Sequence, residues 1–199
     1  MQENSKGPRS AVVIRVAVVI VIGASLLALS TVRFVGAGEA GVVHTFGVVD
    51  SRPRRPGLML KAPWAALETM NVRTQQFTLD SQALRGDLVP DGGIIRTLTS
   101  DGATVAIGLT VHYFLMPLMA PEVFATIGPE YREIIIRPAV SSAVRDVIAE
   151  YTIEEVFSVH GEEIREKIME RLDSDLRARG ILVEAVLMRE IRIESSSED

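Results

Sequence analysis

The chain has 199 residues, of which 21 are basic and 26 are acidic, and it contains no cysteine. The lack of cysteine excludes a disulfide scaffold and thiolate chemistry. The first 35 residues hold four of the basic residues and one of the acidic ones, so the remainder carries a net charge of −8. This charge argues against nucleic acid as a partner and against a domain that lies flat on anionic lipid.

An apolar run opens the chain, because the seventeen residues Val16–Val32 are uncharged and lie between Arg15 and Arg33. A helix that crosses the hydrocarbon core of a bilayer needs roughly 17–25 mostly apolar residues. With both arginines directed outward, residues 11–35 meet this length. We therefore expect a transmembrane anchor there, after a polar tail over residues 1–10. The alternative is a cleaved signal peptide, which would release a secreted binding module.

The flanks of this run predict its orientation. Lys6, Arg9 and Arg15 precede it, whereas only Arg33 follows it before Arg52. Basic residues favour the cytoplasmic side of a membrane. We therefore expect a single-pass membrane protein with its amino terminus on the cytoplasmic or matrix side and its domain outside the cytoplasm.

The segment after the run is rich in β-branched residues. Gly36–Gly41 matches the glycine spacing of a dinucleotide-binding loop, but a strand follows it where that motif requires a helix. We interpret it as a flexible juxtamembrane linker. Composition and turn residues then predict strands over residues 42–49, 58–62 and 67–79, and an exposed loop over residues 80–93.

Asp101-Gly102 is a strong hairpin signal between two apolar stretches. In the second stretch the larger apolar residues alternate along one face, which predicts a half-buried antiparallel strand. That face comprises Val105, Ile107, Leu109, Val111, Tyr113 and Leu115.

Helical patterns follow the hairpin. Residues 121–127, 130–137, 138–150 and 159–179 are predicted helices, and Thr152 begins another short helix with capping-box spacing. Ile164, Ile168, Leu172 and Leu176 form one apolar stripe along the last helix. A final strand places one set of apolar residues on a single face: Ile181, Val183, Ala185, Leu187, Ile191 and Ile193.

This order of elements predicts an α+β domain over residues 36–194, with a curved, mainly antiparallel sheet and helices packed on one side. Residues 195–199 form a polar tail. We find no pattern for a catalytic, cofactor-binding or metal-binding site. His44, His112 and His160 lie in separate elements, and the adjacent acids of the helices have capping positions.

One basic cluster stands out in the acidic domain. Arg52, Arg54 and Arg55 lie in a predicted turn, where they are either solvated or in contact with lipid headgroups. Trp64, with Phe46 and Leu58, is either an interfacial aromatic anchor or part of the core. Two function classes follow: a membrane-tethered scaffold, or a membrane-bound hydrolase whose site is built from scattered acids.

The ordered pattern resembles the SPFH superfamily, also called the Band 7 or prohibitin-homology family. The resemblance covers roughly Gly38 to Ile193. It rests on fold signatures that include Gly41-Val42-Val43, Pro56-Gly57-Leu58, Asn71-Val72-Arg73-Thr74-Gln75, Thr99-Ser100-Asp101-Gly102, and Val123-Phe124-Ala125-Thr126-Ile127-Gly128-Pro129-Glu130-Tyr131. The last of these looks closest to the prohibitin branch.

The resemblance implies a membrane-anchored scaffold of the prohibitin or stomatin type. Such proteins assemble as homo- or hetero-oligomers with other SPFH proteins, organise lipid microdomains, and in some branches regulate membrane-bound proteases. From the charge and the lack of a site pattern we expect no nucleic-acid partner and no cofactor. The family usually continues from the last strand into a long coiled-coil helix. No heptads are expected here, because the sequence stops at Asp199.

Overall fold

The computed structural model describes residues 14–23, 31–79, 93–158 and 160–194. Helix α1 spans residues 14–23. The strands are β1 (Val32–Val35), β2 (Glu39–Thr45), β3 (Val48–Val49), β4 (Gly57–Leu60), β5 (Ala66–Asn71), β6 (Gln75–Leu79), β7 (Ile95–Leu98), β8 (Thr104–Leu115) and β9 (Ile181–Glu194). The later helices are α2 (Ala120–Thr126), α3 (Arg137–Ile148), α4 (Ile153–Val156) and α5 (Gly161–Arg177), with a π-helical segment (Arg132–Ile136) before α3.

The described elements form a mixed α+β structure in which every strand pairing is antiparallel. The strands build three sheets rather than one curved sheet: β1 with β4, β2 between β3 and β5, and β8 with β6, β7 and β9. The predicted single strand over 67–79 is wrong, because β5 and β6 belong to different sheets. Between them the backbone N–H of Arg73 donates to the Asn71 side chain and that of Val72 donates to Gly38, which turns the chain away.

Strand β8 is the centre of the core. Its alternating apolar face, predicted from the sequence, is completely buried from Val105 to Leu115. Strands β6 and β7 lie one after the other along the same edge of β8 and both pair with it. Strand β9 pairs with the other edge of β8 along the whole length of β8. The predicted Asp101-Gly102 hairpin is confirmed, since β7 and β8 are joined there.

Two β-bulges change the faces of β9. The pairing with β8 shifts between Gly108 and Leu109 and between His112 and Tyr113, so Glu184 and Arg189 are the extra residues of β9. A bulge reverses which face later side chains occupy. The set of apolar residues predicted to lie on one face of β9 is therefore wrong in the middle of the strand. The residues opposite the buried face of β8 are Ile181, Val183, Val186, Met188, Ile191 and Ile193.

Helices α3 and α5 pack together, α5 also packs on β9, and α3 contacts β7. The apolar stripe of α5 is fully buried, as predicted. Helix α4 begins with the predicted capping box, in which Thr152 and Glu155 each bond the other's backbone N–H. Pro138 lies in the first turn of α3 directly after the π-helical segment. The wider turn accommodates the proline ring, which in an α-helix would clash with the carbonyl group four residues earlier.

Several predictions near the amino terminus concern residues that are described only in part. Of the predicted anchor, residues 14–23 are helical, 32–35 form β1, and 11–13 and 24–30 lie outside the described residues. Within the described ranges, no helix combines the length and apolarity that a membrane span requires. The predicted loop 80–93 lies outside the described residues except for Gly93, as do both polar tails. Gly36–Gly41, predicted as a flexible linker, forms the turn between β1 and β2 and the start of β2.

Candidate functional site

The hairpin of β1 and β4 carries an apolar face that the domain does not cover. Val32 lies opposite Leu60, and Phe34 lies opposite Leu58. Because directly opposed residues and their i+2 neighbours share a face, these four side chains form one patch, here called the apolar hairpin face. Phe34 is 70% exposed, and Leu58 and Leu60 are each 74% exposed.

The other side of this hairpin is the side that packs inward. Val35 is completely buried and Met59 is half-buried. A hairpin with one apolar face on the domain normally presents polar residues on the other face. Here the outer face is entirely apolar, and the charged side chain of the hairpin, Arg33, lies on the other face opposite Met59. This distribution marks the outer face as a surface for an apolar environment or a partner.

The apolar run leads directly into this face. Every residue of α1 over 14–23 is exposed, and these residues are apolar apart from Arg15 and Gly23. The backbone N–H of Lys61 donates to the Thr31 carbonyl at 2.8 Å, which ties the end of β4 to the residue just before β1. Trp64 follows three residues later and is 66% exposed. Trp64 therefore lies close along the chain to the end of the hairpin at which β1 begins and β4 ends.

The tip of the β2–β3 hairpin is also apolar. Phe46 and Gly47 form a two-residue turn with φ angles of 49° and 85°. Positive φ at both positions is the type I′ geometry, which favours Asn, Asp or Gly over a bulky side chain. Phe46 is nevertheless 88% exposed, so burial within the domain does not explain a phenylalanine there. Core packing, one of the two predictions for Trp64, Phe46 and Leu58, is excluded by their exposure.

The predicted arginine cluster immediately precedes β4 of the apolar hairpin face. All three arginines are exposed. The Arg54 guanidinium lies 2.7 Å from the Asp50 carboxylate, and its backbone forms a two-way bridge with Gly41. The Arg52 backbone N–H donates to the same carboxylate. Asp50 thus fixes the turn and offsets part of its charge.

The structure separates the other residue types that carry chemistry. The His44 ring stacks on Phe124 at 5.7 Å, whereas His160 Nδ1 lies 2.7 Å from the Ser158 hydroxyl. His112 is half-buried in β8. In the described part of the chain, no three metal-ligating side chains converge.

The carboxylates do not gather in a cleft either. None of those in the described ranges is buried, so the pair of buried acids that would support the hydrolase alternative is not found there. The resolved carboxyl shifts are downward. The Thr99 hydroxyl, followed by the Ile153 N–H, lowers the pKa of Asp101, and the Thr152 backbone and hydroxyl lower the pKa of Glu155.

The buried titratable groups are tyrosines. Burial raises the pKa of Tyr113 to about 12 and also raises the pKa of Tyr131. The Gln75 side chain donates to the Tyr131 hydroxyl at 2.9 Å. Both phenols are neutral at physiological pH, and the hydrogen bond from Gln75 to Tyr131 joins β6 to the residue just before the π-helical segment.

A comparison with protein families shows to which family the chain belongs. The SPFH domain / Band 7 family matches residues 33–199. The chain belongs to the SPFH family. The match begins one residue into β1 and includes β4, so the apolar hairpin face lies almost wholly within the SPFH domain. No curated protein matches the chain.

Sequence reasoning missed most of the apolar hairpin face. Val32 and Phe34 fell within the predicted anchor of the SPFH protein, and Leu60 was assigned to an ordinary strand. The available signal was the apolar repeat Leu58-Met59-Leu60 in a short strand, which leaves no polar face for solvent.

Proposed function

We propose that this SPFH protein is a membrane-anchored scaffold of the prohibitin or stomatin type. In this role it organises membrane microdomains or regulates membrane proteins, such as proteases, through protein–protein association. The observation that carries the proposal is the apolar hairpin face, which is continuous along the chain with the apolar run.

Physical chemistry favours a bilayer as the environment of this face. Transfer of apolar surface out of water gains roughly 25 cal/mol per Å², or about 1–2 kcal/mol for each largely exposed side chain of this size. Three such side chains, Phe34, Leu58 and Leu60, together with the less exposed Val32 contribute several kcal/mol. Trp64 suits the boundary between headgroups and acyl chains. The arginine cluster next to β4 then lies at headgroup level.

The family membership supports a scaffold rather than an enzyme. SPFH domains associate with membranes and oligomerise, and the described residues of this one present surfaces rather than a reactive cleft. In the proposed arrangement, the predicted anchor ends at Thr31, because residues 32–35 form β1 of the domain. Residues 11–31 then supply the anchor, including the parts that lie outside the described residues. The amino terminus lies on the cytoplasmic or matrix side and the domain on the opposite side.

The test of the scaffold role is the size of the membrane-extracted protein. The full chain is cross-linked in its membrane, extracted in mild detergent, and measured by light scattering over a range of concentrations. We expect a mass above that of a monomer and cross-linked partners. A monomer at every concentration, with no partner recovered, would contradict the proposal. Mass spectrometry of the mature amino terminus distinguishes the anchored protein from a secreted binding module, which would lack the apolar run.

A further inference from the structure

A pocket lies where the seam between α3 and α5 meets the π-helical segment. It has a volume of about 420 Å³, which is within the range of small-ligand sites. Its apolar lining consists of Ile134, Ile135, Pro138, Ala139 and Leu176. Three polar side chains complete the lining: Ser142, Asp175 and Arg179. An apolar surface with a few polar groups is the usual composition of a site that binds a small molecule.

The π-helical segment shapes one wall of this pocket. Ile134 and Ile135 belong to that segment, and Ile134 is 53% exposed. π-helical turns are rare and occur frequently at functional sites. An apolar side chain that the fold leaves outside the core therefore lines the pocket.

Ion pairs close the seam between the two helices beyond the pocket. Lys167 pairs with Glu150 at 3.4 Å, and Arg171 pairs with Asp146 at 3.3 Å. From the first pair to the second, the chain advances four residues along α5 and goes back four residues toward the start of α3. Residues four apart lie on the same face of a helix, so the pairs follow one side of two antiparallel helices.

The series of ion pairs stops at the pocket. The next step of four residues along each helix reaches Asp175 and Ser142, and serine carries no charge that would match the carboxylate. Among the described residues, neither the Asp175 carboxylate nor the Arg179 guanidinium has an ion-pair or hydrogen-bond partner. Asp173 and Arg177 have the same spacing of four residues and do pair, at 2.6 Å. The pocket therefore presents one unmatched carboxylate and one unmatched guanidinium.

We propose that this pocket binds a free α-amino acid with an apolar side chain. The Asp175 carboxylate and the Ser142 hydroxyl accept hydrogen bonds from the α-ammonium group, and the Arg179 guanidinium donates to the α-carboxylate. The side chain of the amino acid packs on the apolar lining. The proposal does not depend on the scaffold function and adds a ligand to it.

The two charges of the pocket select this class of ligand. An α-amino acid carries an ammonium group, a carboxylate and a side chain on a single carbon atom, whereas a peptide separates its charged termini. Arginine binds a carboxylate through two parallel N–H donors, and hydrogen bonds between ionised groups are the strong ones. Asp175 and Arg179 are both exposed in the free pocket, so the ligand displaces water rather than an existing ion pair. A ligand with one charge would leave one of the two side chains unmatched.

The test is a calorimetric titration of the full chain in mild detergent with L-leucine and with two analogues that each lack one charge. Isocaproate lacks the ammonium group, and leucinamide lacks the carboxylate. We expect saturable binding of leucine at one site. Each analogue is expected to bind more weakly by about tenfold or more, because hydrogen bonds between charged groups are lost. Glycine, which lacks the apolar side chain, is also expected to bind more weakly than leucine.

Variants assign each charge of the ligand to its partner in the pocket. Asp175→Asn is expected to weaken leucine binding by about tenfold or more but not to weaken isocaproate binding, because isocaproate has no ammonium group. Arg179→Gln is expected to weaken leucine binding in the same way but not leucinamide binding. Glu170→Gln and Arg145→Gln change exposed charges of the same two helices outside the pocket, and they serve as controls.

Three results would overturn the inference: no saturable binding of leucine, equal binding of leucine and either analogue, or a loss of binding in the control variants as large as in the pocket variants. Thermal unfolding of each variant is measured first. For a variant that fails to fold, the analogue series on the natural chain decides the question. Because the titration is done in detergent, its result does not depend on association with a bilayer.

Discussion

Gly180 joins α5 to β9 in a conformation that side chains rarely adopt, with a φ of 77°. It is also confined, since a Cβ atom there would lie 2.3 Å from Cβ of Met119. Both the backbone and the packing therefore require glycine at this position.

We predict that Gly180→Ala lowers the free energy of unfolding by several kcal/mol. Gly128→Ala is the matched control, because Gly128 has a φ of 94° but open space around its Cα. The control incurs only the backbone cost of about 1–2 kcal/mol, whereas Gly180→Ala adds roughly 1–3 kcal/mol of overpacking. Denaturant unfolding of the two variants measures the difference, and equal losses would contradict the account.

The start of α4 depends on two carboxylates. Glu155 accepts the Thr152 backbone N–H at 2.8 Å, and Asp101 accepts the Ile153 N–H at 3.3 Å. The Thr152 backbone N–H lowers the pKa of Glu155 in the folded state, and the Thr99 hydroxyl, followed by the Ile153 N–H, lowers the pKa of Asp101. A lowered folded-state pKa gives stability that is present above the ordinary carboxyl pKa and is lost as the pH falls through the folded value.

We therefore expect Glu155→Gln to destabilise the domain at neutral pH and to have a shrinking effect as the pH falls below the ordinary glutamate range. Thermal unfolding across an acid titration measures this convergence. Glu154→Gln, at the neighbouring acid that takes no part in the capping box, is the control. A destabilisation by Glu155→Gln that stays constant down to low pH would show that the carboxylate charge is not the cause.

At the scale of elements, we propose that the arginine turn and the apolar hairpin face contact the membrane together. Each basic residue near an anionic membrane surface contributes about 1 kcal/mol. Arg54 is already paired with Asp50, so Arg52 and Arg55 supply most of this attraction.

We predict that Arg52→Glu, Arg54→Glu and Arg55→Glu together weaken binding to anionic vesicles by roughly 30-fold or more at low salt, since about 2 kcal/mol is lost. Reversal of three exposed arginines on and after the helices, Arg145, Arg171 and Arg179, is the control. Vesicle co-sedimentation with and without anionic lipid measures the effect. Unchanged binding of the turn variant would exclude headgroup contact.

Local signals predicted some elements well. The stripe of α5, the Thr152 capping box and the Asp101-Gly102 hairpin each depend on residues close in sequence, and all are present. The break between β5 and β6 and the bulges at Glu184 and Arg189 depend on partner strands far along the chain. Composition does not reveal them, so the faces of β9 were assigned incorrectly from alternation alone.

The candidate surface shows the same limit. The arginine turn was found because charge is visible in a sequence. The exposure of Phe34, Leu58 and Leu60 was not predicted, because an apolar residue in a strand is ordinarily expected in a core. Only the pairing of β1 with β4 shows that these side chains share the outward face.

At the scale of the whole molecule, we propose an SPFH domain that is held at a bilayer by its apolar run and its apolar hairpin face and is concentrated there with its partners. Confinement to a surface raises the effective concentration of copies, so contacts that are weak in solution become effective.

Trp64, the only tryptophan of the chain, offers the most direct test of this account. The full chain is reconstituted into vesicles whose lipids carry quenching groups at shallow or deep acyl positions, and Trp64 emission is recorded. The account predicts quenching by the shallow groups, reduced when Phe34, Leu58 and Leu60 are changed to serine but not when Leu98 and Leu118 are. Emission that lipid quenchers leave unchanged, and that a water-soluble quencher suppresses fully, would contradict it.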